Sequence, residues 1–219
     1  MTWLASGSTA ITVDMGLMFW NNPYFNQDVT SWDVSKVTDF GSTFKDAIAF
    51  NNGEGSGAVS TKPLSWNTAA ATNMSYMFAG ATSFNQNLLG WNTSAVTTMR
   101  NMFDGANKFN NGQAAGTSGG ADITFSTGNV TNMTYMFNRA SVFNQNVSGF
   151  DTSNVTDMSY MFAGTLAFNN GQAPGGAGSR PLTWTTSNVT TIAFMFNATS
   201  GSVFNQSVSG WDLSKCTSL

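Results

Sequence analysis

Three acids recur in one register: Asp33, Asp151 and Asp212 each follow an aromatic residue, Trp32, Phe150 and Trp211. Two facing carboxylates are the machinery of glycoside hydrolysis. The register is broken by Asn67, Asn92, Ser126 and Thr185, so any pairing of acids would be accidental. Turn capping by the short acid, or a weak surface Ca²⁺ site, fits the same column. The chain of 219 residues has no His, which removes the usual general base, metal ligand and triad partner. Phosphate-loop, dinucleotide-binding and HExxH patterns are missing. Cys216 is the one cysteine, which rules out an intramolecular disulfide and a cysteine metal cluster. The expectation is therefore no enzyme, no catalytic residue, no cofactor and no metal.

The charges narrow the partners. Eight Lys and Arg against 11 Asp and Glu leave a net charge of −3, and charged residues make up 9% of the chain, far below the usual fraction of about 25%. The cations stand singly, without a basic footprint for nucleic acid. No run of about 18 apolar residues is present, so no membrane insertion is expected. "MTWLASGSTAITVDMG" lacks the basic start and apolar stretch of a secretory signal. A coat of Ser, Thr, Asn and Gly points to an extracellular, cell-surface or virion-surface protein, with export encoded elsewhere or the chain processed or partial.

The elements that position these residues are repeats. The aromatic column runs Trp32, Trp66, Trp91, Phe125, Phe150, Trp184, Trp211, in steps of 34, 25, 34, 25, 34 and 27 residues. The unit is 25 residues, and every second unit carries nine more, between its second Phe and the aromatic column. Residues 1–219 read as a single solenoid domain of alternating 25- and 34-residue coils. The first unit is irregular, and the last stops in mid-repeat at "WDLSKCTSL".

Within each unit the columns are strict. Met15, Phe40, Met74, Met99, Met133, Met158 and Ile192 open an apolar run that continues three and four residues on, as in Met77-Phe78 and Met102-Phe103. Apolar positions at i, i+3, i+4 and i+7 predict a short helix with Met as adaptable core filler. Thr38, Thr72, Thr97, Thr131, Thr156 and Thr190, two residues earlier, suit helix N-caps. The same Thr column also fits an ice-binding or glycan-contacting ladder. Phe25, Phe50, Phe84, Phe109, Phe143, Phe168 and Phe204 close the helix side, and each is followed by Asn; an Asn ladder would satisfy turn backbone. Segments such as "NVSGF" and "SVSGW" predict one short strand per coil. The expected fold is a repeat solenoid of about seven coils, each one short parallel strand plus one short helix. No coil is large enough to fold alone.

Three Gly-rich insertions, Gly53–Lys62, Gly112–Asp122 and Gly171–Arg180, leave the same corner of alternate coils. Insertions gathered on one face of a repeat protein are often its binding face, though long surface loops are also tolerated at little cost. Their distinctive side chains, Glu54, Lys62, Gln113, Asp122, Gln172 and Arg180, are the candidate partner-binding residues. Triplets such as Asn129-Val130-Thr131 and Asn154-Val155-Thr156 arise from the repeat itself and are glycosylation acceptors only in a host with that machinery.

"WDVSKVTDF", "WNTSAVTTMRNMFDGANKFN" and "FDTSNVTDMSYMFAGTLAFN" resemble the bacterial surface-protein repeat of roughly 25 residues found in Mycoplasma lipoproteins and Listeria surface proteins. The resemblance covers nearly the whole chain. It implies an exposed protein with a leucine-rich-repeat-like solenoid, and it carries no catalytic residues. Two functions follow as expectations. One is a non-enzymatic surface module for adhesion, recognising a protein or glycan on a cell surface. The other is a structural subunit of an extracellular filament or virion component, in which copies of the chain join head to tail through uncapped ends.

Overall fold

The computed structural model describes residues 12–117, 122–174, 176, 180–198 and 201–219. Strand β1 (Val13–Asp14) pairs in parallel with β2 (Val37–Asp39), with a register shift between Val13 and Asp14. From β2 onward the pairing continues as single parallel bridges, from Asp39 to Asn73, Thr98, Asn132, Asp157, Thr191 and Ser218 in turn. Each bridge residue stands seven places after the aromatic column. Successive coils therefore lie in register, but the regular contact is one residue wide.

The expected leucine-rich-repeat-like solenoid of one strand plus one helix per coil is overturned. No described residue is helical, and β1 and β2 are the only strands among the described residues. Where the helix was predicted, the backbone hydrogen bonds alternate. The amides of Met74, Tyr76, Phe78 and Gly80 donate to carbonyls of the next coil, at Thr98, Arg100, Met102 and Asp104. The amides of Met77, Ala79 and Ala81 donate three residues back, to Met74, Tyr76 and Phe78. An α-helix would send every one of these amides four residues back within the coil. Here half of them form a ladder between coils, and overlapping turns take the rest. The apolar spacing that predicted a helix is satisfied all the same, because Met74, Met77, Phe78, Ala81 and Phe84 all point inward and are fully buried.

With no helix to cap, the Thr column has another role. The hydroxyls of Thr72, Thr97, Thr131, Thr156 and Thr190 donate to the carbonyls of Thr38, Thr72, Thr97, Thr131 and Thr156 on the preceding coils, at 3.0–3.5 Å. The expected strand beside the aromatic column is also absent; that segment is a turn, with the Trp91 amide on the Leu88 carbonyl.

Two Phe columns fill the interior. Within coils they pair at 3.9–4.2 Å, as in Phe78–Phe84, Phe103–Phe109 and Phe137–Phe143. Between coils Phe44, Phe78, Phe103, Phe137 and Phe162 follow one another at 5.5–5.7 Å with planes within 10°. The indole N–H groups of Trp66, Trp91, Trp184 and Trp211 donate to Val29, Leu64, Val147 and Leu182 of the preceding coils, so the buried Trp66, Trp91 and Trp184 and the half-buried Trp211 leave no orphaned donor.

At the corner after the second Phe, the Asn ladder expected from the sequence is present. Asn51, Asn85, Asn110, Asn144, Asn169 and Asn205 each donate their amide N–H to Oδ1 of the preceding Asn, at 2.7–2.9 Å. Gln86, Gln145 and Gln206 add a side-chain donor to Asn51, Asn110 and Asn169. Among the described residues, no helix is long and apolar enough to cross a membrane.

Candidate recognition face

The six residues nominated from the insertions are mostly engaged within the stack. Glu54 accepts the Thr61 amide at 2.9 Å, the Thr61 hydroxyl, and Gln86 Nε2 at 2.8 Å. Lys62 lies 3.4 Å from Asp28, and its carbonyl accepts Asn52. The Gln113 and Gln172 carbonyls accept Asn85 and Asn144 at 2.9 Å. Asp122 lies 4.0 Å from Arg180, and the Arg180 amide donates to Gln206. The Ser60 amide reaches the Gly112 carbonyl at 3.0 Å, so the first insertion bonds the second across the short coil between them. The insertions are laced to one another, by Ser60 to Gly112 and by Asp122 to Arg180. Residues 118–121, 175 and 177–179 of the second and third insertions lie outside the described residues.

The acid column caps turns. Asp33, Asp151 and Asp212 accept the amides of Ser35, Ser153 and Ser214 at 2.9–3.0 Å, and Asn67 and Asn92 do the same in their coils. Hydrogen bonds from those serines hold all three carboxyls below the ordinary carboxylate range. A depressed folded-state value adds stability above the unfolded value of about 3.9, and that stability is lost as pH falls through the lowered value. With no His to titrate near neutrality, the melting temperature is expected to stay level from pH 8 to about 5 and to fall below about 4. A thermal melt series checks this. Among the described residues no group of three or more His, Cys, Asp or Glu is placed to hold a metal.

The candidate face lies on the opposite logic, where the backbone is strained. Two residues after the Met column, Leu17, Ser42, Tyr76, Asn101, Tyr135, Tyr160 and Phe194 all adopt φ between 56° and 61°. This left-handed region favours Gly and Asn, and bulky side chains there are outliers. The ladder enforces it: the amides of Tyr76, Asn101, Tyr135 and Tyr160 donate to Arg100, Thr134, Ser159 and Ala193 at 2.9–3.0 Å. A second left-handed column follows four residues on, with Asp46, Gly80, Gly105, Arg139 and Gly164. At Gly80 a Cβ would run into the Asp46 carboxylate.

The two columns make a wall of rings and charges. Tyr135 and Tyr160 stack at 4.5 Å, and Tyr160 and Phe194 at 4.9 Å. Phe194 is 53% exposed. Burial, then the neighbouring Tyr160, pushes the Tyr135 phenol above its ordinary value. Lys45 Nζ lies 5.2 Å from the Tyr76 ring centre, and the Arg100 guanidinium 5.6 Å from it. Arg139 pairs with Asp104 at 3.0 Å. An open groove of about 460 Å³ runs between Lys45, Asp46, Tyr76, Gly80, Asp104 and Arg139. A neighbouring hollow of about 480 Å³ lies between Tyr135, Arg139, Tyr160, Gly164 and Asn197.

Sequence reasoning passed over this face because it fell inside the predicted helix. A signal was present: position two after the Met column is Leu, Tyr, Tyr, Tyr or Phe in five of seven coils, although a helix would have turned it to solvent.

Residues 55–117 and 113–219 match the family described as Mycoplasma protein of unknown function, DUF285, and the chain belongs to that family. No curated protein and no solved structure matches it.

Proposed function

We propose that this member of the family is a non-enzymatic, extracellular or surface-exposed module for adhesion, recognising a glycan or protein through the aromatic and basic wall of its left-handed column. The observation that carries the reading is the placement of Tyr76, Tyr135, Tyr160 and Phe194 at strained backbone positions where Gly or Asn would be easier. Strain of this kind collects at functional sites. Interfaces favour Tyr, Phe and Arg and disfavour Lys, Glu and Asp. The uncharged Ser, Thr and Asn surface supports the extracellular location. The Gly-rich insertions act as bracing at Glu54, which Gln86 of the next coil engages, and at Ser60, whose amide reaches Gly112, while Asp122 Oδ1 and Arg180 Nη1 are buried without a hydrogen-bond partner.

Relieving the strain separates stability from binding. Phe194→Gly removes about 1–2 kcal/mol of left-handed strain and one ring stack worth about 0.5–1.5 kcal/mol. Its stability by chemical denaturation is expected to stay within about 1 kcal/mol of the parent. The test of the function is a glycan and extracellular-protein array probed with the parent chain. At least one class of ligand is expected to bind, and Tyr160→Ser to lose that binding. An array without a hit, repeated with the chain displayed multivalently, would overturn the reading.

A further inference from the structure

One seam between coils departs from the repeat. In the first and third long coils, Leu64 and Leu182 stand two residues before the aromatic column. The Leu64 amide donates to the Asn87 carbonyl at 3.2 Å, and its own carbonyl accepts the Trp91 indole at 2.6 Å. Leu182 is tied in the same way, to the Ser207 carbonyl at 3.1 Å and the Trp211 indole at 2.8 Å. The second long coil holds Ile123 at this position. No described residue accepts its amide or donates to its carbonyl.

The following coil carries Phe150 where its counterparts carry Trp91 and Trp211, so the indole N–H and half of its ring system are missing. An open hollow of about 610 Å³ lies at this seam, with Ile123, Thr124, Phe125, Ser126, Gly128 and Asp151 in its lining. Ile123 is 6% exposed, against 0% for Leu64 and 1% for Leu182. The third residue after the aromatic column is Ser or Ala in the other six coils and Gly128 here. A Cβ on Gly128 would stand 3.1 Å from Asp151 Oδ2, so the bare glycine leaves that oxygen room. Asp151 Oδ1 meanwhile caps the Ser153 amide at 3.0 Å. The hollow shares no lining residue with the two beside the tyrosine wall.

We infer that this hollow binds one N-acetylhexosamine residue, at a site separate from the recognition wall. Buried backbone N–H and C=O groups without partners are costly, so a ligand that supplies both partners is favoured. What Ile123 lacks, by comparison with Leu64 and Leu182, is an amide carbonyl, an N–H donor and an apolar ring. The acetamido carbonyl of the sugar accepts the Ile123 amide, and the vicinal hydroxyl donates to the Ile123 carbonyl. The acetamido methyl lies against Phe125, and a further hydroxyl donates to Asp151 Oδ2. The seam closes again at Thr127, whose hydroxyl donates to the Asp151 carbonyl at 2.9 Å. The gap therefore suits one sugar ring and not an extended peptide.

The test is a chemical-shift titration of the whole chain with the methyl glycosides of N-acetylglucosamine and N-acetylgalactosamine. Methyl glucoside, methyl galactoside and N-acetylglycine methylamide are the controls. At least one acetamido sugar is expected to bind with Kd of about 0.1–1 mM, and every control at least about tenfold more weakly. Phe150→Trp supplies the indole that the other seams contain. It should melt no lower than the parent and lose at least about tenfold in affinity. Asp151→Asn keeps the turn cap, as Asn67 and Asn92 do in their coils. It should lose about fivefold, and it carries the test if Phe150→Trp does not fold. Tyr135→Ser with Tyr160→Ser should stay within about twofold of the parent, since the wall lies elsewhere. Failure of both acetamido sugars to bind, or a control that binds as well, overturns the site. Unchanged affinity in Phe150→Trp or in Asp151→Asn also overturns it. A tenfold loss confined to the tyrosine variant would put the sugar on the wall, overturning the site and leaving the recognition reading standing.

Discussion

Asn85→Ala is expected to destabilise the chain by about 3–5 kcal/mol, because it orphans several buried groups at once. Asn85 is 1% exposed. Its Oδ1 accepts the amides of Asn110 at 2.8 Å and Gly112 at 3.0 Å. Its Nδ2 donates to the carbonyls of Gln113 at 2.9 Å and Ala58 at 3.1 Å. Each buried donor left without a partner costs about 1–3 kcal/mol, and here there are two, with carbonyls besides. Asn26→Ala, in the first described coil, is the internal comparison. Asn26 accepts the amides of Asn51 and Gly53 in the same way, but it is half-buried and the Gly53 amide is open to solvent. Its loss is expected to cost about 1–2 kcal/mol. Thermal melts would show a drop of about 10 °C or more for Asn85→Ala and a visibly smaller one for Asn26→Ala. Equal effects would mean that the ladder does not work as the mutual satisfaction of buried backbone.

Phe103→Ala is expected to cost about 3–5 kcal/mol, the range for removing a fully buried ring. Phe103 is fully buried. It stacks on Phe109 at 4.0 Å, on Phe78 at 5.7 Å and on Phe137 at 5.5 Å, so one substitution breaks contacts within its coil and to both neighbours. The cavity cannot close easily, because the coils above and below are held in register by their own ladder bonds. Phe19→Ala removes the same column's ring from the first described coil, where it is only partly buried, and is expected to cost about half as much. Urea denaturation of the two variants checks the gradient. A central ring no more costly than Phe19 would contradict a continuous aromatic core.

Much of this scaffold was legible in the sequence. The Met and Phe columns identified the inward positions, since any backbone that brings i, i+3, i+4 and i+7 to one side buries the same residues. The Asn after each second Phe could be assigned to turn backbone because a short amide in register has both a donor and an acceptor to offer. The helix was wrong for a physical reason. A run of turns with left-handed residues at Tyr76 and Gly80 produces the same inward spacing as a helix, while sending every second amide to the next coil. Gly80, Gly105 and Gly164 were visible signs of that backbone, but Tyr76, Tyr135 and Tyr160 concealed it, since bulky residues rarely adopt positive φ. The Thr column suits capping only if a helix follows it, and here its hydroxyls bond the preceding coil. Glu54, Lys62 and Asp122 drew notice as distinctive side chains, and their partners Gln86, Asp28 and Arg180 could not be assigned until coils 25 and 34 residues apart were stacked.

The recognition surface we propose is the left-handed wall rather than the insertions. The most direct measurement takes the strongest array ligand and compares its affinity for two double variants of the whole chain. Tyr135→Ser with Tyr160→Ser is expected to lose at least tenfold, while Lys62→Ala with Gln113→Ala stays within about twofold of the parent. The reverse ranking, with the loop variant losing affinity and the wall variant unchanged, would contradict the account.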